Sequence, residues 1–217
     1  MAQSELAVTN FWEWFAGHAA SFARFTANDA LDESALQELL RRLQQIDKRL
    51  AFEFGTDDDN QRLLVVTANG DVEAFPAVER VASAAPALPD WEVIAFRPPQ
   101  DLENLAVQLD DTLIAAEHIY FVPYHDEDRL GLELYVLAEA DVPAEAAEQA
   151  AFTLVDAALG EYEAAMGLGF VEVQVAKEPP VDALPLTELP FIFEDFHDED
   201  GDDEDEDDDG DDNKGNA

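Results

Sequence analysis

No cysteine occurs in this chain, which excludes disulfides, thiolate nucleophiles and zinc–thiolate centres. Lysine is almost as scarce, limited to Lys48, Lys177 and Lys214. Lys and Arg together number 11 against 51 Asp and Glu, a formal net charge of -40 over 217 residues. Nucleic acid and anionic membranes are repelled by such a surface, so neither is expected as a partner. Long apolar runs are missing too. None approaches the ~20 residues that a membrane helix needs. The N-terminus has no basic residue before Arg24, and Glu13 and His18 interrupt its apolar stretch. A signal peptide is therefore not expected, and the sequence reads as cytoplasmic.

The motifs of common chemistries are also lacking. The four histidines (His18, His118, His125, His197) form no HxH or HExxH pair, so no metal site is expected. There is no P-loop, no G-x-S-x-G elbow and no G-x-G-x-x-G fingerprint, so no cofactor is expected. Gly167-Leu168-Gly169 precedes a strand instead of following one, and turn chemistry is its expected role. His18, within an aromatic helix, reads as a core or boundary residue. No catalytic residue is assigned.

What the chain has in excess is acid at its end. Glu194 to Asp212 reads EDFHDEDGDDEDEDDDGDD, with 15 Asp or Glu in 19 residues and no Lys or Arg. Like-charge repulsion and scant apolar content leave nothing to offset the entropy of ordering it. Residues 194–217 are accordingly expected to be a disordered acidic tail. Its densest part, Asp202, Asp203, Glu204, Asp205, Glu206, Asp207, Asp208 and Asp209, is the candidate contact for a basic protein. An EF-hand reading fails: counted from Asp205, position 12 is Asn216 where a glutamate is needed.

Before the tail, hydrophobic composition (47 % overall, with 14 Phe) is sufficient for a folded body. Phe11, Trp12, Phe15, Ala19, Phe22 and Phe25 recur at helical spacing, predicting a helix over Asn10–Ala27. Leu36, Leu39, Leu40, Leu43, Ile46 and Leu50 predict a second over Asp32–Leu50. Strand patterns follow at Ala51–Phe54, Arg62–Ala68 and Trp91–Phe96, with a short helix after Pro76. Short strands at Val107–Leu109 and Thr112–Ala115 precede a hairpin of His118–Tyr124 with Leu130–Leu137. A helix over Pro143–Leu159, ended by Gly160, leads to a last strand at Phe170–Ala176. No internal repeat is visible. The expected fold is α+β: two N-terminal helices, then a largely antiparallel sheet with helices packed on one face. Residues 1–193 are expected to form a single domain.

Among so many carboxylates, Glu161 and Glu163 stand out for flanking Tyr162 just past a helix end. A solvated face is the expected reading. The alternative is an unrecognised enzyme that uses this region near Arg97.

The segments FWEWF (Phe11–Phe15), AFPAVERVASAAPALPDWEVIAFRP (Ala74–Pro98), ALGEY (Ala158–Tyr162) and PLTELP (Pro185–Pro190) together resemble an uncharacterised family of bacterial cytosolic hypothetical proteins. The likeness covers about Phe11 to Phe193, and the acidic tail falls outside it. It implies a cytosolic location and supplies no activity or catalytic residue.

Two readings of the charge stand side by side. Without residues 194–217 the chain retains 36 acids against 10 bases, a net of -26. One reading is a non-enzymatic acidic protein-binding domain, a regulator or immunity-type inhibitor of a basic partner. The other is salt adaptation, which accounts for acids scattered over every segment.

Overall fold

A computed structural model of the chain describes residues 2–23, 33–56, 61–110, 112–126, 128–138 and 142–201. By its contacts the chain expected as one domain over residues 1–193 divides into two units. The first comprises Met1–Asp101 and Val155–Gly167, the second Leu102–Leu154 and Leu168–Ala217.

In the first unit, helix α1 (Ala2–Phe22) places Val8, Phe11, Trp12, Phe15 and Phe22 in the core, a stripe at helical period. The helix begins earlier than the aromatic pattern indicated and ends at Phe22; Phe25, the last residue of that pattern, lies outside the described residues. Helix α2 (Glu33–Gln44) buries Leu39 and Leu43 but stops six residues short of the expected Leu50; residues 45, 46, 48 and 49 form turns, and Asp47 Oδ1 accepts the Arg49 N–H at 3.0 Å. Its Glu38 bridges Arg41 and Arg42 at 2.7 Å each. Strands β1 (Ala51–Thr56) and β2 (Arg62–Thr67) form an antiparallel hairpin. Helix α3 (Phe75–Ser83), with Pro76 in its first turn, then carries the chain to β3 (Trp91–Ala95), which pairs parallel to β2.

Alternation in these strands directs Phe52, Phe54, Leu64, Val66, Trp91, Val93 and Ala95 to one face. All three helices pack on that face. Their shared core is largely aromatic: Phe15 meets Trp91 edge-on at 5.6 Å and stacks on Phe22 at 5.6 Å. Trp12 satisfies its indole N–H on the Val81 carbonyl, 2.9 Å away. His18 lies on the exposed side of α1, not in the core, stacked on Trp14 at 4.5 Å.

The second unit contains two further sheets. Strands β4 (Ala106–Leu109) and β5 (Thr112–Ala115) make an antiparallel pair. Strands β6 (Ile119–Asp126) and β7 (Arg129–Leu137) form a second hairpin. In sequence, helix α4 (Ala144–Leu159), whose residues from Val155 belong to the first unit, and the short α5 (Glu161–Met166) of the first unit separate β7 from β8 (Leu168–Ala176), which pairs parallel to β7. Strand β9 (Leu184–Pro185) closes the order β8-β7-β6-β9. Helix α6 (Leu189–Gly201) follows, so helical backbone passes the expected boundary at Phe193 and runs through the first acids. The buried Phe196, with its ring 4.9 Å from His125, belongs to that extension. Residues 202–217, including the candidate contact acids Asp202 to Asp209, lie outside the described residues.

The class is α+β, as the periodicities indicate, but the strands form three sheets instead of one. Four strand pairings are antiparallel (β1–β2, β4–β5, β6–β7, β6–β9) and two are parallel. Both parallel pairs arise the same way: a hairpin, a helical crossover, then a strand beside the hairpin's second strand. A parallel neighbour requires such a crossover. The repeat is thus one of topology, invisible in the residues themselves.

Candidate functional site

In each unit one cluster of polar side chains ties together segments distant in sequence. In the first, the cluster begins at Gly160, which ends α4 with φ +82°. A Cβ there would meet Pro99 Cδ at 3.0 Å and the Arg97 carbonyl oxygen at 3.1 Å, so the close approach demands glycine as much as the dihedral does. The next residue, Glu161, is wholly buried. Its backbone N–H donates to the Arg97 carbonyl at 2.9 Å.

Four donors converge on its carboxylate. Oε1 accepts from the N–H groups of Ala68 and Gly70, each at 3.0 Å. Oε2 accepts from the Thr67 hydroxyl at 2.5 Å and the Arg97 N–H at 3.2 Å. The Thr67 oxygen in turn accepts from the Asn69 N–H at 2.9 Å. A carboxylate offers about four lone-pair sites, and here each has a donor.

The donors reach these positions through unusual backbone. Asn69 and Gly70, just after β2, have φ of +52° and +77°, the pair of left-handed residues typical of a tight Asn-Gly turn. Phe96, just after β3, has φ +64°. For a bulky residue this conformation costs on the order of 1–3 kcal/mol and persists when its surroundings hold it. Its N–H donates to the Val66 carbonyl at 2.8 Å. Its ring packs against Phe75 at 4.5 Å and Tyr162 at 5.3 Å, which stack on each other at 5.6 Å.

Arg97 extends the cluster outward. Nε donates to Asp156 Oδ2 at 2.9 Å, and Nη1 to Glu53 Oε1 at 3.1 Å and Asn69 Oδ1 at 3.0 Å. Burial opposes the guanidinium charge, but Asp156, Glu53 and Glu161 outweigh it and raise the arginine pKa. Burial raises the Asp156 carboxyl above the ordinary range, with Arg97 pulling the other way and Glu161 and Glu53 adding to the rise.

The structure therefore corrects the reading of Glu161 as part of a solvated face, although Glu163 is exposed and Tyr162 40% exposed. The expected neighbourhood of Arg97 is present. Every acceptor position of Glu161 is occupied, however, and this makes it a tie between backbone segments and leaves no lone pair to take a substrate proton. The sequence signal was present in principle: a glutamate directly after a helix-ending glycine and an Asn-Gly turn after a buried strand. Gly167-Leu168-Gly169 also departs from expectation. Gly167 ends α5, whereas Leu168 and Gly169 belong to β8, where a Cβ on Gly169 would run into the Asp126 carboxylate.

The cluster in the second unit lies on the β6–β7–β8 sheet. Ile119, Phe121, Leu132, Leu134 and Val136 point to its buried face. The register puts Tyr120 opposite Tyr135, Val122 opposite Glu133 and Tyr124 opposite Gly131 on the other face. Both Tyr124 (3.1 Å) and Tyr135 (2.8 Å) donate their hydroxyls to the same oxygen, Glu133 Oε2. This hydrogen bond, then burial and the nearby charge, pushes the Tyr135 phenol up to about 12 and raises Tyr124 as well; Asp182 adds to both. Phe170 lies over Gly131, where any Cβ would collide with its ring, and packs 5.9 Å from Tyr124. Tyr124 and Phe170 remain 41% and 37% exposed. No spacing in the sequence marked this cluster, because its residues come from three strands.

Among the described residues no group of three His, Cys, Asp or Glu side chains is placed to hold a metal ion, and no helix is long and apolar enough to cross a membrane. No family model, no curated protein and no solved structure matches the chain.

Two substitutions test these assignments. Glu161→Gln keeps one acceptor oxygen but sets an amide N–H₂ against two donors. It should cost about 2–4 kcal/mol in denaturant unfolding of the full chain, and Thr67→Val about 1–2 kcal/mol. Losses below about 0.5 kcal/mol, the level of an ordinary surface change, would contradict the tie. Glu133→Gln removes the anion shared by the tyrosines. An ultraviolet titration should then show the Tyr135 transition fall from about 12 toward the ordinary 10.0. A transition still near 12 would show that something other than Glu133 sets it.

Proposed function

We propose that this chain is a non-enzymatic acidic protein-binding domain, a regulator or immunity-type inhibitor whose partner is a basic protein. The observation that carries the reading is the internal use of its few cations. Arg41 and Arg42 pair with Glu38, Arg49 with Asp47, Asp71 and Glu73, and Arg97 with Glu53 and Asp156. The first unit thus neutralises much of its own positive charge, and acids outnumber the cations it exposes, Lys48 and Arg80 among them. Such a surface speeds encounter with a cationic partner and repels anionic ones. The tail acids Asp202 to Asp209 add to that steering by their charge alone. The reading places the protein in the cytoplasm, with which a cysteine-free sequence accords. Retrieval from native lysate, at low and at moderate salt, tests it. One stoichiometric basic partner retained at moderate salt is the expected outcome; its absence at both salts defeats the reading.

The scatter of acids over the helices and strands, beside three lysines in the whole chain, favours salt adaptation as a second reading. Self-repulsion is screened within a Debye length of ~10 Å at 0.1 M salt. A melting temperature that keeps rising to molar sodium chloride supports adaptation. A plateau near physiological salt supports recognition of a partner.

A further inference from the structure

One face of the second unit's four-stranded sheet combines two features. One is aromatic: Tyr120, Tyr124 and Tyr135 share the face with Phe170, whose ring covers Gly131. The other is anionic. Glu172 on β8 stands directly opposite Glu133 on β7. Like charges in register across a strand pair are destabilising, and cross-strand neighbours are normally chosen to avoid them. Asp182 adds its field to the same tyrosines. Glu133 accepts two tyrosine hydroxyls, but both bind Oε2. Arg129 lies at the hairpin end of β7, opposite Asp126, with its Nη1 3.5 Å from the Leu168 carbonyl oxygen, and Lys177 directly follows β8.

We propose that this face, centred on Glu133, Glu172, Tyr124 and Phe170, is where an arginine- or lysine-bearing segment of the basic partner docks. A guanidinium or ammonium group lying over the tyrosine and phenylalanine rings gains cation–π attraction, and the facing carboxylates gain the counter-charge they lack. Charge decides among the occupants. A second copy of this chain brings 51 acids against 11 bases, and the acidic C-terminal stretch brings no cation before Lys214. Both would be repelled. The inference rests on the acidic-binding reading above and names the surface and partner chemistry of that function.

A titration of the full chain with hexa-arginine peptide, near 0.15 M salt, tests the surface and the reading separately. In the native protein, amide shifts should concentrate in β6, β7 and β8. The double variant Glu133→Gln with Glu172→Gln should weaken binding about five- to tenfold, and Tyr124→Ala with Phe170→Ala by a similar factor. Replacing Asp202 and Asp203 by Asn removes equal charge from the tail and should change affinity less than twofold. Equal effects of face and tail substitutions, or shifts that avoid β6–β8, overturn the docking face while leaving acidic binding in place. Failure of the native chain to bind the peptide at all overturns both. Free arginine binding as tightly as the peptide would overturn a protein segment as the occupant. The shift map needs no variant, so the test holds even where a substitution unfolds the chain.

Discussion

The arrangement of the first unit depends on one buried anion. Glu161 arrives late in sequence, after residues 102–154 have been spent in the second unit, yet its carboxylate binds donors at the ends of β2 and β3. A carboxylate taken out of water is strongly destabilising unless its lone pairs are satisfied. Here three backbone N–H groups and the Thr67 hydroxyl satisfy them. The same four bonds consume N–H groups that the Asn69-Gly70 turn and the Arg97 segment would otherwise bury or expose unpaired. Cost and compensation are thus coupled: the turn needs the acid as much as the acid needs the turn.

Strain nearby follows from that coupling. Phe96 takes a left-handed conformation that a bulky residue avoids, and it does so between two fixed points, the Val66 carbonyl on one side and the Glu161-bound N–H of Arg97 on the other. Strained backbone beside a polar cluster often marks an active site. Here the strained residue is followed directly by Arg97, whose side chain donates to Asp156 and Glu53. The exposed sheet face of the second unit is the opposite case. Its Glu133 and Glu172 are in register with one another, and Tyr124 and Phe170 are 41% and 37% exposed.

Much of the architecture was legible in the residues. Hydrophobic period placed α3, α4 and the strands from β1 to β8 close to their observed positions, because each strand or helix must bury one face whatever lies beyond it, whereas α2 ends six residues before the expected Leu50. The errors have local causes. Helix α5 escaped notice since Gly160 ends α4 but does not end helical structure, and six residues are too few to show a period. Helix α6 ran further than composition suggested because Phe193 and Phe196, one turn apart, give the first acids an apolar side to follow. The division of strands into three sheets is a matter of pairing, and pairing between distant segments leaves no mark in single-strand patterns.

The sequence by itself determined the α+β class, the extreme negative charge and the absence of thiol chemistry, since these follow from local period and from counting. Tertiary structure alone decided that Glu161, one acid among 51, would be buried and saturated while Glu163 two residues away stays exposed. It also decided that Tyr124, Glu133, Tyr135 and Phe170 would share a face. The physical reason is the same in both cases: a side chain's electrostatic role depends on which distant donors and charges the fold brings within hydrogen-bond reach, and no short-range pattern in a chain records those distances.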